Sequence, residues 1–441
     1  MTIQNKVALE SLRKYILLDG FDMIIDLEKS KGSWISDEKS GEKYLDFFSF
    51  FASAPVGFNH PDATEDAEFQ RHLKFAALNK VSNSDFYTHE YEKFMETFQR
   101  VAIPSEFKHA FFVSGGALAV ENALKASFDW KVRSNFANGF TKELGSQVLH
   151  FKEAFHGRTG YTLSLTNTAD PRKYMYFPKF DWPRVTNPKI SYPLEDNLDA
   201  IKALEEKSLQ EINSEFKNRK DDIAAIIIEP IQGEGGDNHF RTEYMQELRK
   251  IADEKEAMLI YDEVQTGIGM TGKMWAYEHF DGVVPDMIAF GKKMQTCGFI
   301  STDRIDSVEN NVFEESSRIN STWGGNLVDM VRATKYLEII EKYNLVREAA
   351  KNGKYMKGIL HSIAEESEGL ISNVRGKGLF IAFDLPNSDK RNEIQTEMMK
   401  ENVIVLATGQ LGMRFRPPLN ISKEEIDIGL NKLTDVISKI K

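Results

Sequence analysis

Five short apolar runs between about residue 105 and residue 300 constrain the fold more than any other feature of the sequence. They are HAFFVSGG, QVLHFKEAFHG, DIAAIIIEPIQG, AMLIYDEVQTG and DMIAFGKK, and polar stretches of helical character separate them. The runs are apolar throughout instead of at every second residue, which is typical of parallel strands that helices cover on both faces. They therefore predict an α/β fold with a mostly parallel central sheet flanked by helices.

Several of these runs end in residues that are reactive or flexible. In an open parallel sheet, ligands bind outside the carboxyl ends of the strands, so these residues should meet in one crevice. They are Gly115, Gly116, His156, Gly157, Glu229, Gln232, Asp262, Gln265 and Lys292.

The chain has 441 residues, which exceeds the ~100 to 200 residues of a usual domain. We predict a large sheet-bearing domain over residues 61–330 and a smaller α+β domain from both ends, residues 1–60 and 331–441. In the C-terminal part, VRATKYLEIIEKYNLVREAAKNGKYMKGILHSIAEE has the pattern of one long amphipathic helix. NVRGKGLFIAFDL and IVLATGQLGMRFRPPL then predict two strands with a glycine-bearing turn between them.

Composition excludes several function classes. A formal charge of -11 argues against a nucleic-acid surface, which needs a concentrated basic face, and favours small-molecule chemistry. Cys297 is the only cysteine, so no intrachain disulfide can form, and we expect a cytoplasmic protein. The N-terminal sequence lacks the pattern of a signal peptide, and no apolar run approaches the ~20 residues of a membrane span, so we expect a soluble protein.

An aspartate and a lysine at the ends of two predicted strands carry the strongest chemical signal. Asp262 ends AMLIYD, and Lys292 follows DMIAFG about thirty residues later. Pyridoxal phosphate (PLP) chemistry needs both groups, an amine to form the imine and a carboxylate to keep the pyridine nitrogen protonated. Taken alone, the lysine could be a solvated cap and the aspartate a turn residue or a metal ligand.

The segment VSGGALAVENALKASFDW predicts a strand, a glycine pair and then a helix. The free N–H groups at such a helix start bind anions, and glycine lets a phosphate approach the backbone closely. A tight strand-to-helix turn without a ligand explains the same residues.

A metal site is not predicted. His156, Asp262 and Glu263 are possible ligands, but no second histidine lies nearby at ligand spacing.

The motifs together resemble the class III, or ω-amino, aminotransferases of PLP fold type I, and the resemblance covers nearly the whole chain. Within that family, GGALAVENALK and AFGKKMQTCG are most similar to the enzymes that act on the ε-amino group of lysine. The segments that carry the resemblance are SGGALAVENALK, FHGRTGYTLSLT, EPIQGEGG, DEVQTGIGMTGKMWA, AFGKK, STWGGN and RFRPPL.

The resemblance implies roles for individual residues around PLP. Lys292 would form the Schiff base and Asp262 would hold the pyridine nitrogen. Lys293 is adjacent to Lys292, but only one of the two can face the crevice, and the resemblance favours Lys292. The remaining cofactor contacts implied are Gln265 near the ring hydroxyl, Phe155 on the ring face, and the backbone of Gly116 and Ala117 on the phosphate.

Ser321 and Thr322, in STWGGN, resemble a phosphate contact that comes from the neighbouring subunit. The resemblance therefore implies a homodimer with shared active sites. As an isolated motif, STWGGN would be a loop.

Two different substrates impose a conflict on such a site. L-Lysine reacts at its far end, whereas 2-oxoglutarate reacts beside a carboxylate that an arginine must hold, so that arginine needs a removable partner. Glu234 and Arg414 resemble the family's pair for this purpose, and Arg158 resembles the anchor of the distal carboxylate. Arg416 could replace Arg414, and either arginine could instead brace a loop.

The resemblance also implies that residues 54–57 of SAPVG, which end in Val56 and Gly57, line the substrate channel, although a connecting turn fits the same residues. It implies ping-pong transfer of the ε-amino group of lysine to 2-oxoglutarate. The products would be L-glutamate and 2-aminoadipate 6-semialdehyde, which cyclises to piperideine-6-carboxylate. The alternatives are another ω-aminotransferase that acts on ornithine or 4-aminobutyrate, a PLP racemase or decarboxylase, and a non-enzymatic role.

Overall fold

The fold was obtained as a computed structural model, which describes residues 5–440 of the chain. Its strands belong to three sheets of seven, four and three strands within that range. In chain order they are β1 (Trp34–Ser36), β2 (Lys43–Asp46), β3 (Phe107–Val113), β4 (Gln147–Phe151), β5 (Arg184–Val185), β6 (Ile223–Ile228), β7 (Met258–Asp262), β8 (Met287–Phe290), β9 (Cys297–Thr302), β10 (Ser372–Lys377), β11 (Phe380–Asp384), β12 (Val403–Ile404), β13 (Leu406–Thr408) and β14 (Gly412–Phe415).

Helices account for most of the remaining regular structure. In chain order they are α1 (Asn5–Arg13), α2 (Ser49–Ala52), α3 (Pro61–Thr64), α4 (Ala67–Leu78), α5 (His89–Val101), α6 (Gly116–Ala137), α7 (Gly160–Leu165), α8 (Leu194–Asn218), α9 (Thr242–Glu254), α10 (Leu327–Lys342), α11 (Leu345–Glu366), α12 (Ser388–Lys400) and α13 (Lys423–Ile440). Short 3-10 turns lie at Pro171–Lys173, Ala276–His279, Lys292–Met294 and Asp303–Ser307.

The central sheet is mostly parallel. Its strand order is β3-β9-β8-β7-β6-β4-β5, and β9 is the one described strand of this sheet that runs against the others. Helix α6 packs on β8 and β9, and α9 packs on β7. The sheet confirms the α/β fold predicted from the apolar runs.

Both faces of this sheet are covered, which explains why its strands are apolar throughout. Ile226 and Leu259 belong to the main hydrophobic core, whereas their chain neighbours Ile227 and Ile260 belong to a second core on the other face. Successive side chains of a strand point to opposite faces, so each face of these strands must be apolar.

Residues from the two ends of the chain lie together in a smaller region. The N-terminal strand β2 pairs in parallel with the C-terminal strand β12, and β10, β11, β14 and β13 form a separate antiparallel sheet. The division at residues 60 and 330 remains a prediction.

The C-terminal region differs from the sequence prediction in two ways. The predicted single helix is two helices, α10 and α11, because Asn344 adopts the left-handed conformation with φ 51° and breaks the run. The two predicted strands are instead β-hairpin elements, since NVRGKGLFIAFDL forms β10 and β11, and IVLATGQLGMRF forms β12, β13 and β14. Glycine lies inside each run and lets the chain reverse there, at Gly378 (φ 54°) and Gly409 (φ 54°).

Within residues 5–440, no helix is long and apolar enough to cross a membrane.

Candidate active site

Polar side chains gather where the central parallel strands end. Asp262 is the last residue of β7, Glu229 follows β6, and Lys292 comes two residues after β8. These strands are neighbours in the sheet, so their carboxyl ends bring the three groups to one crevice, as the sequence predicted.

Lys292 begins a short turn after Gly291 and has a left-handed backbone, with φ 47°. Burial, together with the nearby Arg414, lowers the pKa of its amine to about 8 against the opposing effect of Asp262, Glu229 and Glu234. The amine therefore lies among all four of these charged side chains. A substantial fraction of it is neutral near pH 8.

Lys293 lies in different surroundings. Its side chain is buried, and its Nζ donates to the backbone oxygens of Gln265 at 2.7 Å and Ala52 at 3.2 Å. Lys293 therefore joins two loops beneath the crevice, while the partly exposed Lys292 is the lysine that shares the charges of the crevice.

Asp262 is buried and held by two donors. The Nδ1 of His156 donates to Oδ2 at 2.8 Å, and the backbone N–H of Val264 donates to Oδ1 at 3.1 Å. The Nε2 of His156 is buried and has no hydrogen-bond partner among the described residues. His156 therefore orients the carboxylate of Asp262 through Nδ1, while its Nε2 forms no hydrogen bond to the described residues.

Glu229 is a second buried carboxyl group at the strand ends. It accepts from the backbone N–H groups of Phe155 at 2.9 Å and Gly233 at 3.0 Å. Burial, together with Asp262, raises its pKa to about 7 against the opposing effect of His156. The sequence placed Glu229 at a strand end but assigned it no role.

The predicted phosphate cradle lies between β3 and α6. Gly115 precedes the helix with φ 113°, and no side chain caps the first turn of α6. A helix of 22 residues therefore begins with free backbone N–H groups, including those of Gly116 and Ala117. Gly157 packs so closely on Ala117 that a Cβ there would lie 2.5 Å from the Ala117 Cβ.

Phe155 and Gln265 flank the same crevice. Phe155 is half-buried just beyond β4, and the Nζ of Lys173 lies 5.9 Å from the centre of its ring. Gln265 packs on Gly233, where a Cβ would come within 2.4 Å of the amide oxygen of Gln265.

Arg414 and Glu234 form an ion pair beside Lys292. The Nη2 of Arg414 lies 2.7 Å from Oε2 of Glu234, and the arginine side chain is only 2% exposed. The Nε and Nη1 of Arg414 are buried without a hydrogen-bond partner in the described part of the chain. The guanidinium therefore has donors available for a second acceptor.

Glu234 has a second cation as a partner, which the sequence did not predict. The Nζ of Lys173 donates to Oε1 of Glu234, the oxygen that Arg414 does not contact. Burial alone would raise the pKa of Glu234, but Arg414 and Lys173 outweigh it and lower the pKa to about 2. Lys173 lies in a loop outside every recognised motif, so its sequence position carries no signal for this contact.

Arg416, the alternative to Arg414, has other partners. Its Nη2 lies 2.7 Å from both carboxylate oxygens of Asp237, and its guanidinium stacks on the ring of Phe380 at 3.2 Å. Both members of the Arg416–Asp237 pair are buried. Arg414, and not Arg416, therefore pairs with Glu234.

The remaining predicted contacts lie at the edge of the site. Arg158 is exposed and has no hydrogen bond or ion pair among residues 5–440. Thr322 is exposed in the loop after β9, and the backbone oxygen of Ser321 accepts from the hydroxyl of Ser84. These side chains have room to contact a ligand or another chain.

Val56 packs in the interior of the chain, whereas Gly57 is partly exposed and packs closely on Gly32. Val56 is 0% exposed in the main core, and a Cβ on Gly57 would collide with the backbone of Gly32 at 2.3 Å. From the same N-terminal segment it is Phe51 that reaches the ion pair, since the guanidinium of Arg414 lies 5.7 Å from its ring. The place of residues 54–57 in a substrate channel stays a prediction.

Phe51 belongs to α2, a single left-handed turn in which Ser49, Phe50, Phe51 and Ala52 all have positive φ, from 38° to 66°. Such a conformation costs roughly 1–2 kcal/mol per residue, so other contacts must hold it. The hydroxyl of Ser49 donates to the backbone oxygen of Arg416, and Lys293 donates to that of Ala52.

Among the described residues, no group of three His, Cys, Asp or Glu side chains is arranged to hold a metal ion.

Comparison with known proteins shows that the chain is similar to aminotransferases. The family model "Aminotransferase class-III" matches residues 19–437. The L-lysine-epsilon aminotransferase of Mycobacterium tuberculosis is 49% identical over 421 residues, which cover 96% of this chain and 93% of that protein. The 4-aminobutyrate aminotransferase of Dictyostelium discoideum is 33% identical over 453 residues, with 99% and 90% covered.

Solved structures agree with these matches. The lysine aminotransferase of M. tuberculosis in the internal aldimine form has a TM-score of 0.97 at 47% identity, with both chains covered completely. The ornithine aminotransferase of Toxoplasma gondii, at 22% identity and a TM-score of 0.78, shares the fold and covers 100% of this chain and 96% of its own.

Proposed function

Because this chain belongs to the class III aminotransferases, enzymes of fold type I that depend on PLP, we propose that it transfers the ε-amino group of L-lysine to 2-oxoglutarate. The products are L-glutamate and 2-aminoadipate 6-semialdehyde, which cyclises to piperideine-6-carboxylate. The observation that carries the proposal is the Arg414–Glu234 pair beside Lys292, because a removable partner on a buried arginine suits two substrates of different charge.

The residues present fit PLP. The uncapped start of α6 offers the N–H groups of Gly116 and Ala117 to the phosphate, and Asp262 would pair with the ring nitrogen. Gln265 and Phe155 would flank the ring, and the Nζ of Lys292 would bind the aldehyde carbon. Bound PLP supplies an electron sink that stabilises negative charge on the carbon beside the reacting amine.

Lys292 moves the proton in this mechanism. A lysine amine accepts a proton from substrate only when it is neutral, and its lowered pKa of about 8 provides that form near physiological pH. His156 keeps Asp262 oriented through the hydrogen bond from Nδ1, so that the carboxylate stays in place while charge develops nearby.

Arg414 discriminates between the two half-reactions. While Glu234 neutralises it, the site accepts the uncharged chain and amine of lysine, and Arg158 would hold the carboxylate at the far end. When Glu234 turns away, the free donors of Arg414 can bind the 1-carboxylate of 2-oxoglutarate in a bidentate manner. The kinetics are then ping-pong.

A coupled assay with lysine and 2-oxoglutarate tests the proposal. It should yield glutamate and a trapped semialdehyde in equal amounts, with lysine preferred over ornithine and 4-aminobutyrate. If the enzyme prefers 4-aminobutyrate, then 4-aminobutyrate and not lysine is the amino donor. The 33% identical 4-aminobutyrate aminotransferase supports this alternative. Carbon dioxide or D-lysine as the main product would instead establish a decarboxylase or racemase.

A homodimer is part of the proposal. Ser321 and Thr322 of one subunit would contact the cofactor phosphate of the other. Large apolar side chains surround that loop, since Phe86 and Tyr87 are 71% and 80% exposed and Trp323 is 39% exposed. The contact between Ser84 and the 321 backbone places these two segments side by side, and apolar surface of this kind is typical of an interface.

A cytoplasmic location also belongs to the proposal. It rests on the lone Cys297, since proteins of oxidising compartments commonly use cysteines in pairs.

A further inference from the structure

Lys173 is a charged side chain of the crevice that the mechanism above does not use. It ends the 3-10 turn Pro171–Lys173, in which the side chain of Asp170 accepts from the backbone N–H of Arg172. The side chain of Lys173 is 18% exposed, so most of it is enclosed. Its amine lies between the carboxylate of Glu234 and the ring of Phe155.

Glu234 divides its two oxygens between two cations. Oε2 accepts from Arg414 and Oε1 accepts from Lys173, and the Glu234 side chain is 22% exposed. Neither oxygen is shared, so one ion pair can break while the other persists. The amine of Lys173 can follow the carboxylate as it rotates, because a flexible four-carbon stem joins that amine to the backbone.

The backbone of Glu234 is fixed on both sides. A Cβ on Gly233 would meet Gln265 at 2.4 Å, and one on Gly235 would meet the backbone oxygen of Glu153 at 2.2 Å. The backbone oxygen of Glu234 also accepts from the N–H of Gly409 at 3.2 Å. Glu234 must therefore leave Arg414 by side-chain rotation, which keeps its carboxylate within the radius of its own side chain.

A carboxylate that leaves one partner in an enclosed site needs another. Removing one member of a buried ion pair is costly because it leaves a charge without compensation. We call the state in which Glu234 has left Arg414 the open state. If Arg414 were the only partner of Glu234, the carboxylate of Glu234 would be unpaired in the open state. With Lys173 in contact, that carboxylate stays neutralised after it leaves the arginine.

We propose that Lys173 is the retaining partner of this switch, a positioning residue that keeps hold of Glu234 when the carboxylate of the 2-oxo acid replaces it on Arg414. Lys173 then stabilises the open state more than the closed state, in which Arg414 already neutralises Glu234. The inference rests on the proposed function, and it makes Lys173 a determinant of the second half-reaction in particular.

The test uses Lys173→Met, which keeps the length of the side chain and removes its charge, with Lys173→Gln as a second variant. Arg172→Met is the matched control, because Arg172 lies on the same turn, is 79% exposed and pairs with Asp170 outside the crevice. Each half-reaction is followed separately by the cofactor absorbance of the holoenzyme. Calorimetric binding of glutarate, an unreactive dicarboxylate, to the pyridoxamine form gives a readout without turnover.

Lys173→Met should raise the KM for 2-oxoglutarate and weaken glutarate binding about tenfold each, which corresponds to about 1.4 kcal/mol. The lysine half-reaction should change by less than about twofold, because Arg414 already neutralises Glu234 in that half-reaction. Lys173→Arg should restore glutarate binding, and Arg172→Met should behave like the natural protein. Melting temperature and cofactor content verify that each variant is folded.

Three results would overturn the inference. Unchanged glutarate binding would show that Lys173 does not act on the switch. Tighter binding would show that Lys173 stabilises the ion pair between Glu234 and Arg414. An equal fall in both half-reactions would show a general structural role. Failure of the proposed function is distinguishable, because the natural protein itself would then not convert 2-oxoglutarate.

Discussion

Lys292 and Lys293 are neighbours in the sequence, yet their amines lie in different surroundings. The sequence predicts that one of them faces the crevice, since adjacent side chains diverge, but it does not contain the contacts that decide which. Those contacts are the backbone oxygens of Ala52 and Gln265, far away in sequence, which accept from Lys293. The resemblance to a family chose Lys292, and the structure gives the physical reason.

Substituting each lysine separately should give opposite results. Lys292→Ala should abolish transamination and the absorbance band of the lysine-bound cofactor, with little change in melting temperature. Lys293→Met should keep the band but lower the free energy of unfolding by about 1–3 kcal/mol, because two buried carbonyl groups lose their donor. Absorbance spectra and chemical denaturation measure both. Loss of the band in Lys293→Met alone would reverse the assignment.

The lowered pKa of Lys292 predicts a pH dependence for cofactor binding. Only the neutral amine attacks the PLP aldehyde, so the rate of reconstitution of the apoprotein should rise with pH and level off above about 8. With an ordinary lysine, whose pKa is near 10.5, the rate would continue to rise above pH 8. Stopped-flow absorbance measures the rate.

Arg414→Met should move that midpoint to higher pH, because the positive charge of Arg414 helps to lower the pKa of Lys292. Arg172→Met, which removes an exposed charge elsewhere, is the control and should leave the midpoint in place. A midpoint that stays near 8 in Arg414→Met would show that burial alone sets the pKa.

At the scale of elements, the sequence was most informative where every face of an element is buried. The strands β6, β7 and β8 are buried at every residue, which made their apolar runs visible. The break between α10 and α11 was not visible, because the apolar periodicity continues through it and a single left-handed residue interrupts only the backbone. The sequence therefore predicted the buried strands, but it did not predict where a helix breaks.

Asn344 offers a direct test of that break. Its φ of 51° favours glycine or asparagine, so Asn344→Ala should lower the free energy of unfolding by about 1 kcal/mol. Asn344→Gly should leave it unchanged or raise it slightly. Thermal melting measures both, and because Asn344 is exposed and outside the crevice, the transaminase rate should stay constant. Equal stability of the alanine and glycine variants would contradict the strain.

At the scale of the whole molecule, the crevice combines residues that lie far apart in the chain, from Phe51 to Arg414. The strand-end groups Asp262 and Lys292 were predictable because a parallel sheet gathers its carboxyl ends. Lys173 was not, since it comes from a loop whose path over the crevice depends on tertiary packing that no local pattern encodes. The contact between Lys173 and Glu234 joins residues that lie far apart in the sequence.

Mixing two impaired variants tests the shared active site of the proposed homodimer. Lys292→Ala and Thr322→Ala would each be impaired alone, the second through weaker phosphate binding. After the two are unfolded and refolded together in equal amounts, half of the dimers are mixed and each has one intact site, so about a quarter of the activity should return. Ser321→Ala with Lys292→Ala is a second pair. No recovery from mixed dimers would place Thr322 in its own subunit's site.

The left-handed turn α2 has a consequence for anyone who redesigns this enzyme. Lys293 and Gln295, on the loop that carries Lys292, donate to the backbone oxygens of Ala52 and Ser53. Phe51, on that turn, approaches Arg414. A loop transplanted from a relative into residues 48–53 would therefore shift the amine as well, unless the graft brings matching residues at positions 293 and 295. Residues 48–53 and the loop of Lys292 would therefore have to be exchanged together.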